Sequence, residues 1–286
     1  MSLSLYVHIP FCQRKCPYCD FNTYAGLSRW FEPYTARRRH DRLIAIDRRR
    51  GARVREIGKS VLGTALNVIV VGAGGGPTIW VIARQHAGES MAEWAAEGLV
   101  DRLLDEDDDI AATLRERARI HIVPCVDVDG ATLGHHRVNS AGRDLDRAWL
   151  DADDEETPEV VALRRTMDDA GVDMFLDLHG NESSRVGFLE GCEGNRNHGE
   201  RLGDLEGLFG RILSDASDDM GPDRDDPLDE SDDDAPPTAA RWVGETYDCL
   251  SLRVELPAKG AFTAERAMAV GRDLLEPVLA CLEASG

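Results

Sequence analysis

Length, composition and charge exclude several classes of protein. The 286 residues suffice for one large domain or two small ones, and a hydrophobic content of 42% is enough to bury a full core. A net charge of -20 disfavours a nucleic-acid partner, and no apolar run approaches the roughly 20 residues that span a bilayer. The N-terminus lacks a charged start followed by an apolar stretch, so we expect no signal peptide and no membrane partner.

Cysteine and lysine usage bears on compartment and source. Three of the 7 cysteines cluster near the N-terminus and four are scattered, which is not a disulfide framework, so we expect a reducing cytoplasm. Nearly all of the 33 basic residues are arginine. Such an acidic, lysine-poor composition is typical of salt-tolerant (halophilic) proteins, in which screening weakens self-repulsion, and equally of GC-rich codon usage.

The N-terminal segment forms a compositional unit of its own. Cys12, Cys16 and Cys19 have the spacing Cys-x3-Cys-x2-Cys, and three thiolates can hold three irons of a [4Fe–4S] cluster. Residues 28–50 are rich in arginine and have helical periodicity.

Strand and helix patterns alternate in the rest of the chain. Strands are predicted at Ala65–Val71, Thr78–Ala83, 120–126, 174–178 and 250–254, and helices at 90–104, 157–170, 200–213 and 264–284. This alternation predicts an α/β fold with a central, mostly parallel or mixed sheet covered by helices on both faces, preceded by a short Cys-rich extension. The Asp-rich stretch 215–238 is predicted to be an acidic loop.

Four polar residues stand at or just beyond the ends of three predicted strands. His86 and Glu89 follow Thr78–Ala83, His179 follows 174–178, and Glu255 follows 250–254. Open α/β sheets collect binding sites at the carboxyl ends of their strands, so these residues can converge. Two His and one Glu form a known catalytic zinc set that leaves a position open for water, and a further Glu can act as its base. Taken singly, a His-x-x-Glu pair at a helix start is usually a cap or a surface pair.

Six motifs, in order, resemble the zinc carboxypeptidases and most closely their cytosolic carboxypeptidase branch. They are Arg84-Gln-His-Ala-Gly-Glu-Ser-Met-Ala-Glu-Trp, Pro124-Cys-Val-Asp-Val-Asp-Gly-Ala, Gly134-His-His-Arg-Val-Asn, Asp144-Leu-Asp-Arg-Ala-Trp149, Asp177-Leu-His-Gly180 and Val254-Glu-Leu-Pro257. The resemblance divides the chain into a Cys-rich segment, residues 1–28, and a carboxypeptidase-like catalytic domain, residues 29–286.

The resemblance implies a zinc site and a catalytic base. His86, Glu89 and His179 would bind one zinc ion, a ligand set known from carboxypeptidase A. Glu255 would be the general base on the attacking water and would return the proton to the leaving amine. Asp144 would orient His86 from outside the ligand set.

The resemblance also implies the groups that contact the substrate. Arg137 would stabilise the oxyanion, and Arg147 would clamp the α-carboxylate of a peptide or protein C-terminus. Where the family usually has the Asn of Asp-Leu-Asn-Arg, which helps to bind that carboxylate, this chain has Asp146. Asp146 would repel the substrate if it faces it beside Arg147, unless it pairs with an arginine and points away. The family's catalytic-site Tyr has one candidate between Cys192 and Glu255, namely Tyr247.

The function implied is that of a cytoplasmic zinc metallocarboxypeptidase. The branch includes deglutamylases, so an acidic C-terminal residue is a plausible substrate. One alternative is a carboxypeptidase-like binding domain that has lost turnover, through Asp146 and a short region before Glu255.

A second alternative comes from residues 3–27. They resemble the start of radical S-adenosylmethionine enzymes related to oxygen-independent coproporphyrinogen oxidase. In that family three Cys hold a [4Fe–4S] cluster and S-adenosylmethionine chelates its open iron. Those cofactors would replace zinc in this reading, but the chain after Leu27 lacks the barrel that houses the cluster in that family.

Overall fold

The structure, a computed structural model, describes residues 28–72, 75–181, 184–221, 236–258 and 262–285. The cysteine cluster of Cys12, Cys16 and Cys19 and most of the predicted acidic loop lie outside these residues. The expectations attached to them therefore stay predictions.

The described elements alternate between strands and helices along most of the chain. The strands are β1 Ala52–Lys59, β2 Ala65–Val71, β3 Thr78–Ala83, β4 Arg119–Val123, β5 Met174–Asn181, β6 Phe188–Glu190 and β7 Leu250–Pro257. The helices are α1 Ser28–Asp47, α2 Ser90–Leu103, α3 Asp109–Arg117, α4 Val128–Leu133, α5 Pro158–Ala170, α6 Glu200–Ala216, α7 Ala239–Tyr247, α8 Ala264–Asp273 and α9 Leu275–Ser285. A short 3-10 helix covers Leu145–Arg147.

The strands form a single mixed sheet in the order β1-β2-β4-β3-β5-β7-β6. The four central strands β4, β3, β5 and β7 are parallel, and β1, β2 and β6 pair antiparallel. β3 is buried at every position, as expected for a strand covered on both faces. The α/β class predicted from the sequence is thus confirmed.

An apolar layer covers each face of the sheet. On one face α2, α6, α8 and α9 pack against strand residues such as Val81, Ile120 and Leu176. On the other face α5 and α7 pack around Trp80 and Trp149, both 0% exposed. The central strands therefore pack between two apolar layers, and this close packing holds the carboxyl ends of the strands in place.

Several element boundaries follow local signals, and one helix does not. β2 and β3 coincide with the predicted strands, and α5 begins at Pro158, which is suited to a first helical position. The single helix predicted over 264–284 is instead two helices, α8 and α9. Pro277 explains the break, because it has no N–H to donate and its ring crowds the carbonyl four residues earlier.

Six described elements were absent from the sequence-based prediction: β1, β6, α3, α4, α7 and the 3-10 helix. β1 reads Ala-Arg-Val-Arg-Glu-Ile-Gly-Lys and is an edge strand with several exposed charges, so it has no apolar run. α3 is short, and only Ala111 and Leu114 are buried in it. Among the described residues, no helix combines the length and apolar character that a bilayer span requires.

Candidate active site

Three central strands end at one edge of the sheet, and the candidate residues lie there. His179 and Glu255 are direct partners in the register of β5 and β7, and His86 follows the end of β3. Between β3 and α2 the chain turns at Arg84, whose φ of 58° lies in the left-handed region. Arg84 Nε donates a hydrogen bond of 2.8 Å to the Ala87 carbonyl, which stabilises this turn. The turn brings His86 to the sheet edge.

Two histidines present the same ring atom to one carboxylate. His86 Nδ1 lies 2.7 Å from Glu89 Oε1, and His179 Nδ1 lies 3.0 Å from Glu89 Oε2. One ligand atom from each of the three residues lies within 4.8 Å of the other two. Two imidazole nitrogens and a carboxylate oxygen are ligands that zinc prefers. The donor set therefore fits one zinc ion.

The electrostatics of this trio suit a cation. Burial disfavours the charge of Glu89, yet hydrogen bonds from His179 and His86 outweigh it and lower the pKa of Glu89. Burial also opposes the charged form of His86, yet Asp144 and Glu89 raise its pKa. The pKa of His179 is likewise raised against burial, with Asp177 and Glu89 contributing. Carboxylates around the two rings thus favour positive charge between them.

Asp144 connects the first ring to a basic side chain. Its Oδ1 lies 3.0 Å from His86 Nε2, and its Oδ2 accepts a hydrogen bond of 2.9 Å from Arg137 Nε. Burial works against the charge of Asp144, but the contacts with His86 and Arg137 lower its pKa to about 2. A carboxylate on Nε2 fixes the ring so that Nδ1 is the atom left for a metal.

Asp177 lies behind the second ring, and the sequence reading missed it. Asp177 Oδ2 lies 2.8 Å from His179 Nε2, but the angle between them does not meet that of a hydrogen bond. The same Oδ2 atom accepts a hydrogen bond of 2.8 Å from Gln85 Nε2. Gln85 in turn accepts one of 2.9 Å from Trp149 Nε1. The signal was available, because Asp177 interrupts an apolar strand two residues before His179 and so shares its face.

Glu255 lies at the same sheet edge and is 4% exposed. Burial raises its pKa despite the opposing effect of Arg253, whose Nε lies 2.8 Å from Glu255 Oε1. A carboxylate with a raised pKa is suited to accepting a proton near neutral pH. The sequence analysis did not identify Arg253 either, although Arg253 interrupts an apolar strand two residues before Glu255.

Asp146 is fully buried, and one of its carboxylate oxygens lies within 4.8 Å of ligand atoms of His86 and Asp144. Its Oδ1 accepts a hydrogen bond of 3.0 Å from the Ala239 N–H, and its Oδ2 lies 3.4 Å from Arg253 Nη1. Burial opposes its charge, but Arg253 outweighs burial and lowers the pKa of Asp146. Of the two arrangements considered from the sequence, this is the one in which Asp146 pairs with an arginine. Its part in substrate binding stays a prediction.

The two arginines expected to meet the substrate are solvent-accessible, and the candidate tyrosine is elsewhere. The Arg137 side chain is 51% exposed, and Arg147 Nη1 donates a hydrogen bond of 2.7 Å to the Pro236 carbonyl. Tyr247 donates a hydrogen bond of 2.7 Å to Asp168 near the start of β7, whereas Glu255 lies near its end. Tyr247 thus lies near the opposite end of β7 from Glu255.

Comparisons with known proteins identify the family of this chain. The sequence model of the zinc carboxypeptidase family matches residues 43–267. An uncharacterized protein of Zymomonas mobilis is 34% identical over 259 residues, which are 86% of this chain and 67% of that protein. Bovine cytosolic carboxypeptidase 3 is 34% identical over 117 residues, which are 40% of this chain and 12% of that protein. The chain thus spans a small part of the cytosolic carboxypeptidases that it matches.

Solved structures give the same result. A metallo-carboxypeptidase from Burkholderia cenocepacia is 34% identical with a TM-score of 0.83, covering 89% of this chain and 71% of that one. A metallo-carboxypeptidase from Pseudomonas aeruginosa, solved in complex with (2-guanidinoethylmercapto)succinic acid, is 35% identical with a TM-score of 0.80, covering 86% and 69%. The family match begins after Cys19, so it does not include the residues that carry the radical S-adenosylmethionine resemblance. By sequence and by structure, the chain belongs to the zinc carboxypeptidase family, a family of zinc hydrolases.

Proposed function

We propose that this chain hydrolyses the C-terminal residue from a peptide or protein, with His86, Glu89 and His179 holding one zinc ion. The observation that carries the proposal is the convergence of two Nδ1 atoms on Glu89 at the sheet edge that also carries Glu255. When bound, zinc supplies Lewis acidity that polarises a carbonyl and lowers the pKa of water.

The chain's own residues then have distinct tasks. Glu255 takes a proton from the attacking water and returns it to the leaving amine, for which its raised pKa suits it. Arg137 is exposed and can turn from Asp144 towards the developing oxyanion. Arg147 offers a planar fork to the α-carboxylate of the substrate. Asp144 and Asp177 are positioning residues for the two histidines.

A finer proposal is that the residue removed is acidic. Its support is Arg253, a largely buried guanidinium two residues before Glu255 on the same face of β7. Asp146 and Glu190 lie 3.4 and 3.7 Å from Arg253 Nη1, so an acidic substrate side chain would share this cation with them.

A reducing, cytoplasmic setting is also part of the proposal. The four described cysteines, Cys125, Cys192, Cys249 and Cys281, are free and buried. Burial raises the pKa of each thiol, to about 12 for Cys125 and about 11 for Cys192, which keeps them unreactive.

Metal analysis tests the zinc assignment. His179→Ala should lose most of its zinc at a chelator concentration that leaves the wild-type protein loaded, and it should lose hydrolysis with it. His198→Ala is the matched control, because His198 also contacts a glutamate, Glu206 at 3.0 Å, but lies outside the trio. Full zinc occupancy in His179→Ala would show that His179 is not a ligand.

Paired peptides test the acidic preference. Two peptides that differ only in a C-terminal Glu or Gln have nearly the same shape and differ by one charge. We expect a kcat/KM at least tenfold higher for the peptide ending in Glu. Equal values, or a preference for Gln, would contradict the acidic preference without affecting the zinc assignment.

A further inference from the structure

A groove of about 980 Å³ lies at the end of the sheet opposite the zinc ligands. Its walls include the start of β1, the end of β2, the start of β4 and the end of α5. Arg119 lines the groove and lies opposite Thr78, the first residue of β3, in the register of the sheet. The candidate zinc ligands His86 and Glu89 follow Ala83, the last residue of β3. Six strand residues span about 17 Å, so the groove is separate from the candidate active site.

The groove gathers positive charge in a strongly acidic chain. Five arginines line it: Arg50, Arg53, Arg55, Arg115 and Arg119. The acidic lining residues are Glu106 and Asp169. The chain as a whole carries a net charge of -20, so this concentration of arginines departs from the composition around it. A positive concave surface of this kind attracts and concentrates anions.

The sheet register explains how residues distant in sequence meet here. Arg53 lies opposite Val70, Val70 lies opposite His121, and His121 lies beside Trp80, so these four form one row across β1, β2, β4 and β3. Side chains two residues apart on a strand share a face. Arg55 therefore lies on the same face as Arg53, directed to the side that His121 also faces.

Several of these arginines have no acidic partner. Among the described residues, no carboxylate lies within 4.0 Å of the guanidinium of Arg50, Arg53 or Arg55. Elsewhere arginines do find carboxylates, as Arg102 does with Asp108 at 2.8 Å. Because the chain has 53 acidic residues against 33 basic ones, a group of unpaired arginines is unexpected on composition alone.

A buried histidine adds a polar group to the groove lining. His121 is 2% exposed, and its Nδ1 has no hydrogen-bond partner among the described residues. Its ring packs edge-on against Trp80, with centroids 4.4 Å apart. Burial, together with Arg55 and Arg119, lowers the pKa of His121 to about 4, so the ring is neutral at neutral pH. A buried polar atom without a partner is costly, and a ligand atom would satisfy it.

We propose that this groove binds a small polyphosphate anion. Guanidinium forks match phosphate oxygens in bidentate pairs, and a polyphosphate concentrates several negative charges in a volume that such a groove can enclose. Carboxylates along a peptide spread their charges more widely. An extended nucleic acid would leave the groove and meet the acidic remainder of the surface, which repels it.

Calorimetric titration of the intact chain with inorganic triphosphate at low salt tests this. The double variant Arg53→Gln/Arg55→Gln should bind triphosphate about 100-fold more weakly, since each lost charge-assisted contact weakens binding by roughly tenfold. Both side chains are exposed, so the fold should persist. Arg165→Gln/Arg196→Gln is the matched control, because it removes the same charge from exposed arginines outside the groove and should bind as the wild-type protein does. Peptide hydrolysis should be unchanged in both variants.

Three results would overturn the proposal. The first is the absence of triphosphate binding to the wild-type chain, and the second is equal weakening in the two double variants. The third is citrate binding as tight as that of triphosphate, which would mean that the groove recognises charge without recognising phosphate.

A rival role for Arg53 and Arg55 is to keep the edge strand β1 from pairing with other chains. In that case Arg53→Gln/Arg55→Gln would self-associate in light scattering while its triphosphate affinity stayed unchanged.

Discussion

At the residue scale, Glu255 and Asp146 are two carboxylates that contact the same arginine but differ in their pKa. Burial raises the pKa of Glu255, while Arg253 overcomes burial and lowers the pKa of Asp146. Burial thus favours the protonated form of Glu255, and Arg253 favours the charged form of Asp146. One largely buried guanidinium therefore contacts two carboxylates whose pKa values are shifted in opposite directions.

Replacing Glu255 tests its role as base. Glu255→Gln keeps the shape of the side chain but removes the proton acceptor. We expect zinc to stay bound and kcat to fall by roughly 10²-fold or more, the usual contribution of a general base. Zinc content and kcat measured on the same sample check this. Near-normal turnover with zinc in place would mean that another group accepts the proton.

Asp146→Asn tests the buried ion pair. The variant keeps an oxygen that can accept from the Ala239 N–H but removes the charge that faces Arg253. We expect the free energy of unfolding to fall by about 1–3 kcal/mol, because Arg253 keeps only its other carboxylates. KM for a peptide should stay unchanged or rise, because the carboxylate of Asp146 is already engaged by the Ala239 N–H and Arg253.

Urea unfolding and KM values for one peptide and its C-terminal amide provide the check for Asp146→Asn. If KM fell for the free acid and stayed the same for the amide, Asp146 would face the substrate carboxylate after all.

At the element scale, the crossing of α2 and α8 depends on two glycines. A Cβ built on Gly98 would lie 2.0 Å from the Met268 carbonyl oxygen, and one on Gly271 would lie 1.8 Å from the Ala95 carbonyl oxygen. Both obstacles are backbone atoms, which cannot move aside without separating the helices. The close approach matters for the site, because α2 begins directly after Glu89.

Gly271→Ala should therefore destabilise the protein by about 1–3 kcal/mol, the usual cost of overpacking. Gly203→Ala in α6 is the matched control, since its new Cβ would meet only His198 Cε1 at an ordinary 3.7 Å. That control should be neutral or stabilise by about 0.5–1 kcal/mol, because alanine favours helix. Urea midpoints of the two variants provide the comparison. Equal midpoints would show that the helices tolerate separation.

At the scale of the whole molecule, buried carboxylates make stability depend on pH. Burial raises the pKa of Glu159 to about 7 and that of Asp127 to about 6. Glu159 is 0% exposed, and its Oε2 has no hydrogen-bond partner among the described residues. Because their pKa values are higher in the folded chain, both groups favour folding when protonated. Their contribution is complete below about pH 4 and is lost as the pH rises through about 6 to 7.

Glu159→Gln should remove the larger part of this dependence. Near pH 8 the variant should be more stable than the wild-type protein by about 2 kcal/mol, and near pH 5 the difference should be small. Urea unfolding of both proteins at several pH values from 5 to 8 checks this. A difference that does not change with pH would mean that Glu159 is already charged in the folded protein at pH 5.

The sequence by itself determined the features that depend on neighbouring residues. The apolar run Thr78–Ala83 predicted that β3 is a strand covered on both faces. His86 and Glu89 were predicted to lie at the carboxyl end of this strand, because they follow it directly in the sequence. His179 and Glu255 were predicted to converge with them, because the parallel strands of an α/β sheet end at a common edge. Local periodicity and strand polarity carry this information, so no tertiary contact was needed.

Only the tertiary structure decided which charges meet across the sheet. Arg253 pairs with Asp146, more than a hundred positions earlier in the chain, and Asp177 lies behind His179. The arginines of the groove come from β1, β4, α3 and the turn before β1. Such partners are selected by strand order and helix packing, which bring distant segments together. In a chain with so many charged residues, sequence spacing cannot distinguish these pairs from the other pairings available, because the energy of each depends on burial and distance.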